Sequence, residues 1–326
     1  MAAVSFPVGS APPPADVTVV PDLQFAAPGG RQLLADLHLP TRTEAPAPAI
    51  LWIHGGGWRS GNRHVGPDLS RFFAAGGFAM IAIDYRHSGR AIFPAQIEDV
   101  KTAIRWVRRI AGEYGIDASR IGLWGASSGG HLSALAALTG DDRFTTDDAL
   151  YREHSSAVQA VVEGYGPIDF LQMDVHRPPS GTRSEDPDSL LLPRLDMRSE
   201  DADSYESLLL GAPIATCPQR VREANPVTYA GAGAPPFLIM HGLCDTTVAP
   251  HQSELLYEAL AVHGNDVTLA LVQGLGHGFF NRTDLDERGA RRMTIQAGPT
   301  GGTRAVVDAP VFATIEAFFR RTLVPA

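Results

Sequence analysis

"RIGLWGASSGGHLSALAAL", residues 120 to 138, joins a short apolar run to a run of small and apolar residues through two serines set among glycines. The first run reads as a buried strand and the second as a helix. Between them the pattern G-x-S-x-G, Gly125 to Gly129, selects Ser127. A sharp strand-to-helix turn presents its central side chain at the sheet's C-terminal edge. Backbones crowd in such a turn, so it needs small neighbours, and Gly125, Gly129 and Gly130 supply them. A serine hydroxyl attacks a carbonyl only when a base takes its proton and the new oxyanion is stabilised. If Ser127 is a nucleophile, the chain must supply both. Moving the frame by one residue to Ser128 puts Ala126 where glycine is wanted. Ser128 is better read as a donor, its N–H opening a helix and facing a developing negative charge.

The other oxyanion donors are expected upstream. "HGGGW", residues 54 to 58, follows the apolar run "PAILWI". Successive glycines let N–H groups turn towards one point without Cβ clashes. Gly56 and Gly57 are the expected donors, with Gly55 shaping the turn. His54 precedes the nucleophile and reads as a loop-orienting side chain, not as the base. The base is expected downstream, in the order Ser, Asp or Glu, His. "HGLCDTTVAP" offers Asp245 and "GLGHGFF" offers His277, each just after an apolar strand. Asp245 would hold the His277 ring in the working tautomer. His131, His241, His251 and His263 fit the base role less well and read as structural or surface residues. Asp266 and Asp284 are likewise less well placed than Asp245.

Outward from these motifs, apolar strands alternate with helical stretches. "FAMIAIDYR", "AVQAVVEGYGP", "PPFLIMHG" and "DVTLALVQG" read as further buried strands. Ile97, Val100, Ile104 and Val107 recur at helical spacing before a stop at Gly115. "RQLLADLHLP" alternates like an edge strand. This order predicts an α/β fold with a mostly parallel central sheet flanked by helices. One domain is expected over residues 17–326, behind a Pro/Ala-rich, poorly ordered segment 1–16. Residues 168–224 break the alternation and are expected to form a cap or lid insertion; 281–305 is a second irregular stretch.

Composition removes several function classes. The formal net charge of −9 offers no electrostatic attraction to nucleic acid. Two cysteines, Cys217 and Cys244, lack metal-ligand spacing, so no metal or other cofactor is expected, and one disulfide between them stays open. No run is long and apolar enough to span a bilayer. The N-terminus lacks a basic region followed by an apolar core, so a cytoplasmic protein is expected and the Asn281 sequon reads as chance. The oligomeric state stays open, a homodimer included.

The blocks "LWIHGGGWRSGNR", "AIDYRHSG", "FPAQIEDVKTAIRWVRRIAGEYGIDASRIGLWGASSGGHL", "NPVTYAGAGAPPFLIMHGLCDTTV" and "GLGHGF" together resemble bacterial α/β-hydrolase esterases. The likeness is to those related to the feruloyl and acetyl-xylan esterases and, more distantly, to the hormone-sensitive-lipase-like group. It covers most of residues 48–167 and 225–280. The resemblance implies an α/β-hydrolase fold and a carboxylic ester substrate, with Ser127, Asp245 and His277 as the triad. The family more often has alanine at the position of Ser128 and an acidic residue at that of Ala126. Asp84, Tyr85, Arg86 and Asp99 also match, and Arg86 with Asp99 reads as a structural ion pair. Glu163 is expected to be a buried structural acid. The same machinery would serve an arylformamidase or another amide-cleaving enzyme. A non-catalytic, ligand-binding hydrolase fold is the alternative from another class.

Overall fold

The computed structural model describes residues 13–141, 143–145, 149–177, 198–298 and 302–324. Ten strands form one sheet in the order β1-β2-β4-β3-β5-β6-β7-β8-β9-β10. Its centre is parallel: β3 (Ala47–Ile53), β4 (Ala79–Ile83), β5 (Ile116–Ala126), β6 (Ala160–Gly164), β7 (Phe237–Gly242) and β8 (Val267–Val272). Antiparallel pairs extend both sides, β1 (Val17–Ala26) with β2 (Leu33–Pro40), and β9 (Arg291–Ala297) with β10 (Thr303–Ala309). This is the expected α/β-hydrolase fold with a mostly parallel sheet.

Helices cover both faces, which is why the central strands are apolar throughout. Helices α1 (Ala95–Ile110), α2 (Ser128–Leu138) and α5 (His251–Ala261) pack on one face, around Leu51, Ile104, Leu123, Leu132 and Leu256. On the other face α6 (Val311–Leu323) and the turn Ser70–Ala74 enclose Trp52, Phe73, Trp124, Phe312 and Phe319. Two short α-helices, α3 (Tyr205–Leu210) and α4 (Pro218–Ala224), fall within the described part of 168–224. Residues 178–197 of that stretch, with "LLLPRL", lie outside the described residues, as do residues 1–12 of the N-terminal segment. Pro14 and Asp16 accept hydrogen bonds from Val17 and Thr41 at 2.9 and 2.8 Å.

Two readings are corrected. Residues 31–40 do not form the edge: β1 lies outside β2, and its ladder shifts register between Val20 and Leu23, around Pro21. Proline is tolerated there because an edge strand has one side without a ladder. Residues 281–305 are not irregular throughout, since β9 and the first three residues of β10 lie within them. Both strands mix charged with apolar residues and most of β10 faces solvent, so the long apolar run that marks a buried strand is missing. Cys217 and Cys244 are not joined in a disulfide. Among the described residues no helix is long and apolar enough to cross a membrane.

Candidate active site

Four loops at the C-terminal ends of β3, β5, β7 and β8 carry the site residues, the edge at which open α/β sheets bind ligands. Ser127 is the single residue between β5 and α2, with φ 55° and ψ −121°. A side chain is strained in that region by about 1–3 kcal/mol. The flanking glycines make the turn possible by close approach. A Cβ on Gly125 would lie 2.1 Å from the Gly129 carbonyl oxygen, and one on Gly129 would lie 2.0 Å from that of Ile53.

Three predicted residues meet in one hydrogen-bonded row. Ser127 Oγ is 2.9 Å from His277 Nε2, and His277 Nδ1 is 2.7 Å from Asp245 Oδ2. Asp245 Oδ1 accepts from the backbone N–H groups of Thr247 and Val248 at 2.8 and 2.9 Å. With the carboxylate accepting from Nδ1, Nε2 is left as the acceptor for the serine proton. Burial would raise the Asp245 carboxyl, but His277 and His241 beside it outweigh burial and hold it well below the ordinary carboxylate range. The row is nearly closed to solvent, Ser127 being 8% and His277 4% exposed.

His241, read above as structural or surface, touches the row. It is fully buried on β7, with Nε2 3.2 Å from Asp245 Oδ2 and 2.9 Å from the Val248 carbonyl. A carbonyl only accepts, so Nε2 carries the proton, and Nδ1 accepts from Ser253 Oγ at 2.7 Å. Asp245 thus receives two imidazole N–H groups and two backbone N–H groups. The sequence offers only the four-residue spacing from His241 to Asp245, which does not by itself mark a contact.

Gly57, Ser127 and Ser128 line one pocket of about 50 Å³, with Trp58, Met173, Arg177, Arg198, Tyr205, Glu206 and Val248 among its other walls. Among the described residues the N–H groups of Gly56, Gly57 and Ser128 have no protein acceptor. Gly56 stands one residue back from the pocket, and its carbonyl accepts from Arg59 and Ser60 at 3.1 Å. Tyr205 of α3 lies against Gly57, whose absent Cβ would fall 2.7 Å from the ring. Trp58 is held by a 3.3 Å bond from Nε1 to His131 Nδ1, and His131 Nε2 donates to the Ala224 carbonyl at 2.8 Å. Burial lowers His131 to about 4, so its ring is neutral near pH 7.

The remaining candidates sit apart from the row. His54 donates from Nδ1 to the Gly55 carbonyl at 2.7 Å and stacks on Tyr85, with ring centres 4.4 Å apart. Arg86 binds Asp99, Nε reaching both carboxylate oxygens at 2.9 Å. Glu163 is fully buried on β6 and accepts from Gly166 N–H at 2.6 Å; burial pushes its carboxyl up to about 8.

A doubly covered α/β sheet with a Ser–His–Asp row at its C-terminal edge defines an α/β-hydrolase. The BD-FAE family model matches residues 35–260. The chain belongs to the BD-FAE family. It is similar to the probable carboxylic ester hydrolase LipM of Mycobacterium tuberculosis, 37% identical over 209 residues, 64% of this chain and 43% of LipM. The esterase LipC of the same organism is 33% identical over 243 residues, 74% of this chain and 54% of LipC. The chain therefore spans about half the length of these curated relatives. Among solved structures, a truncated carbohydrate esterase from gut microbiota superimposes with a TM-score of 0.72 at 28% identity, covering 96% of this chain and 99% of that one. The butyrate-bound Est2 esterase of Thermogutta terrifontis gives 0.62 at 27% identity, covering 82% and 86%.

Proposed function

We propose that this chain is a serine carboxylesterase acting on small-molecule esters with a short acyl group. The observation that carries the reading is the row Asp245–His277–Ser127, at 2.7 and 2.9 Å, opening on a pocket shared with Gly57 and Ser128. His277 Nε2 takes the Ser127 proton as Oγ attacks the acyl carbonyl carbon. The tetrahedral oxyanion is held by the N–H groups of Gly57 and Ser128, with Gly56 as third donor. His277 returns the proton to the departing alcohol, and the acyl group stays on Ser127. Water, deprotonated by His277, then attacks the acyl carbon; the acid leaves and Ser127 regains its proton.

The short acyl group follows from size. A pocket of about 50 Å³ has room for only a few water-sized groups, which suits two to four carbons. The butyrate bound to the Thermogutta esterase supports the same range. Tyr205 and Glu206 of α3, within the stretch read as a cap, line the pocket together with Ser127. A cytoplasmic location belongs to the same reading, and cell fractionation tests it. The activity test is a p-nitrophenyl ester series from acetate to octanoate, run beside acetylated sugars and N-formylkynurenine. Turnover is expected to peak at two to four acyl carbons. Faster cleavage of the formamide than of p-nitrophenyl acetate would move the reading to a formamidase. No adduct at Ser127 with a serine-reactive phosphonate would end the catalytic reading.

A further inference from the structure

Among the described residues the sheet ends on one side in β10, which pairs only with β9 and leaves its outer backbone groups without a strand. Natural edges of this kind are blunted by proline, charged side chains (lysine above all), bulges or a covering element; here the charges are Arg304 and Asp308, of opposite sign. Over Thr303–Ala309, "TRAVVDA", there is no proline, lysine or glycine, and the β9–β10 ladder runs through all seven pairs without a shift. Neither face is covered: Val306 is 63% and Val307 39% exposed.

The charges of this strand are arranged symmetrically about its middle. Arg304 and Asp308 stand two residues either side of Val306, on the same face as Val306 because strand side chains alternate. Outward-facing backbone groups recur at every second residue, so an added antiparallel strand can slip only in steps of two. If the added strand is β10 of a second copy, one register centres on Val306. Arg304 then faces Asp308 of the second copy, Asp308 faces its Arg304, and the two Val306 side chains meet. Centring on Ala305 or Val307 instead sets Arg304 against Val306 or Asp308 against Val306. Only the first register pairs both charges. Asp308 already has Arg292 of its own chain at 3.3 Å, on the β9 side, and Arg304 has Gln296 as its cross-strand neighbour there. A carboxylate can accept from both arginines.

We propose that β10 is a homodimerisation edge, joining two copies through antiparallel β10–β10 pairing about a twofold axis at Val306. The two sheets become one continuous sheet. The proposal is independent of the catalytic reading: β10 lies five strands from β5, roughly 24 Å at about 4.8 Å per strand.

Sedimentation velocity from about 1 to 200 µM tests it, a range suited to one narrow strand contact. The protein is expected to shift from monomer to dimer across it. Arg304→Asp places two carboxylates opposite each other at both ends of the seam, and Asp308→Arg places two guanidiniums there. Each variant alone is expected to weaken the dimer by about tenfold or more, because like charges directly opposite repel. A one-to-one mixture of the two restores opposite charges at both ends and should dimerise again. Circular dichroism and p-nitrophenyl acetate hydrolysis report that each variant is folded. A monomer throughout the range, single variants that dimerise like the parent, or a mixture no better than its components would each overturn the proposal.

Discussion

His241 Nε2 lies 3.2 Å from Asp245 Oδ2, the same oxygen that accepts from His277 Nδ1 at 2.7 Å. The carboxylate that orients the proposed base is therefore shared between two rings. His241→Asn should remove one donor from Asp245 and lower kcat by about tenfold with little change in KM, as expected for a partly shared charge-assisted bond. With less of its charge spent on His241, Asp245 should favour the protonated His277 more strongly. The acid limb of kcat/KM should then move to higher pH. A lowered kcat with an unmoved limb would reduce His241 to a packing residue.

Ser127 and Ser128 are adjacent but given different tasks. Ser127→Ala should abolish ester hydrolysis, with a circular dichroism spectrum like that of the parent. Ser128→Ala keeps the backbone N–H and loses only a hydroxyl 3.3 Å from Tyr85 OH. Its kcat should stay within a few-fold of the parent's; a loss as deep as that of Ser127→Ala would contradict the division.

Glu163 ties stability to pH. Its carboxyl is raised by burial from 4.5 to about 8 in the folded chain. Between those values the unfolded chain has lost the proton that the folded chain still holds. Stability should therefore fall as pH rises through that window, by up to about 1.4 kcal/mol per unit from this group. Glu163→Gln keeps an acceptor for Gly166 N–H and cannot ionise. Thermal melts at pH 5.5 and pH 8.5 should show a smaller loss of Tm for the variant than for the parent.

Gly57 has no room for a methyl group, because Tyr205 occupies that volume and φ is +59°. Gly57→Ala should cost on the order of 100-fold in kcat by displacing an oxyanion donor. Tyr205→Ala in the same chain should recover part of that loss, since it frees the space. Kinetics of the two single variants and the double variant check the coupling; strictly multiplicative effects would mean that the ring and the loop act independently.

The proposed triad was legible because each member stands in a short glycine-bounded turn after an apolar strand, and such turns carry their geometry in adjacent residues. Gly125 is required by the Gly129 carbonyl four residues on, and Gly129 by the Ile53 and His54 carbonyls at the end of β3. His241 was not legible as a partner of Asp245. Its role depends on a buried ring folding back across a turn, and on Ser253 and Val248 fixing its tautomer. The outer strands escaped for the opposite reason. β10 buries almost nothing, so no apolar period marks it, and β1 has a register shift beside Pro21 where an unbroken alternation would have been sought.

The backbone of Ser127 sits at φ 55° and ψ −121°, a conformation that glycine adopts without strain. Ser127→Gly should therefore raise Tm while ending hydrolysis. The most durable version of this chain and its working version are different sequences at this position. Selection for thermal endurance alone, without a screen for turnover, would favour loss of the hydroxyl on which the proposed chemistry depends.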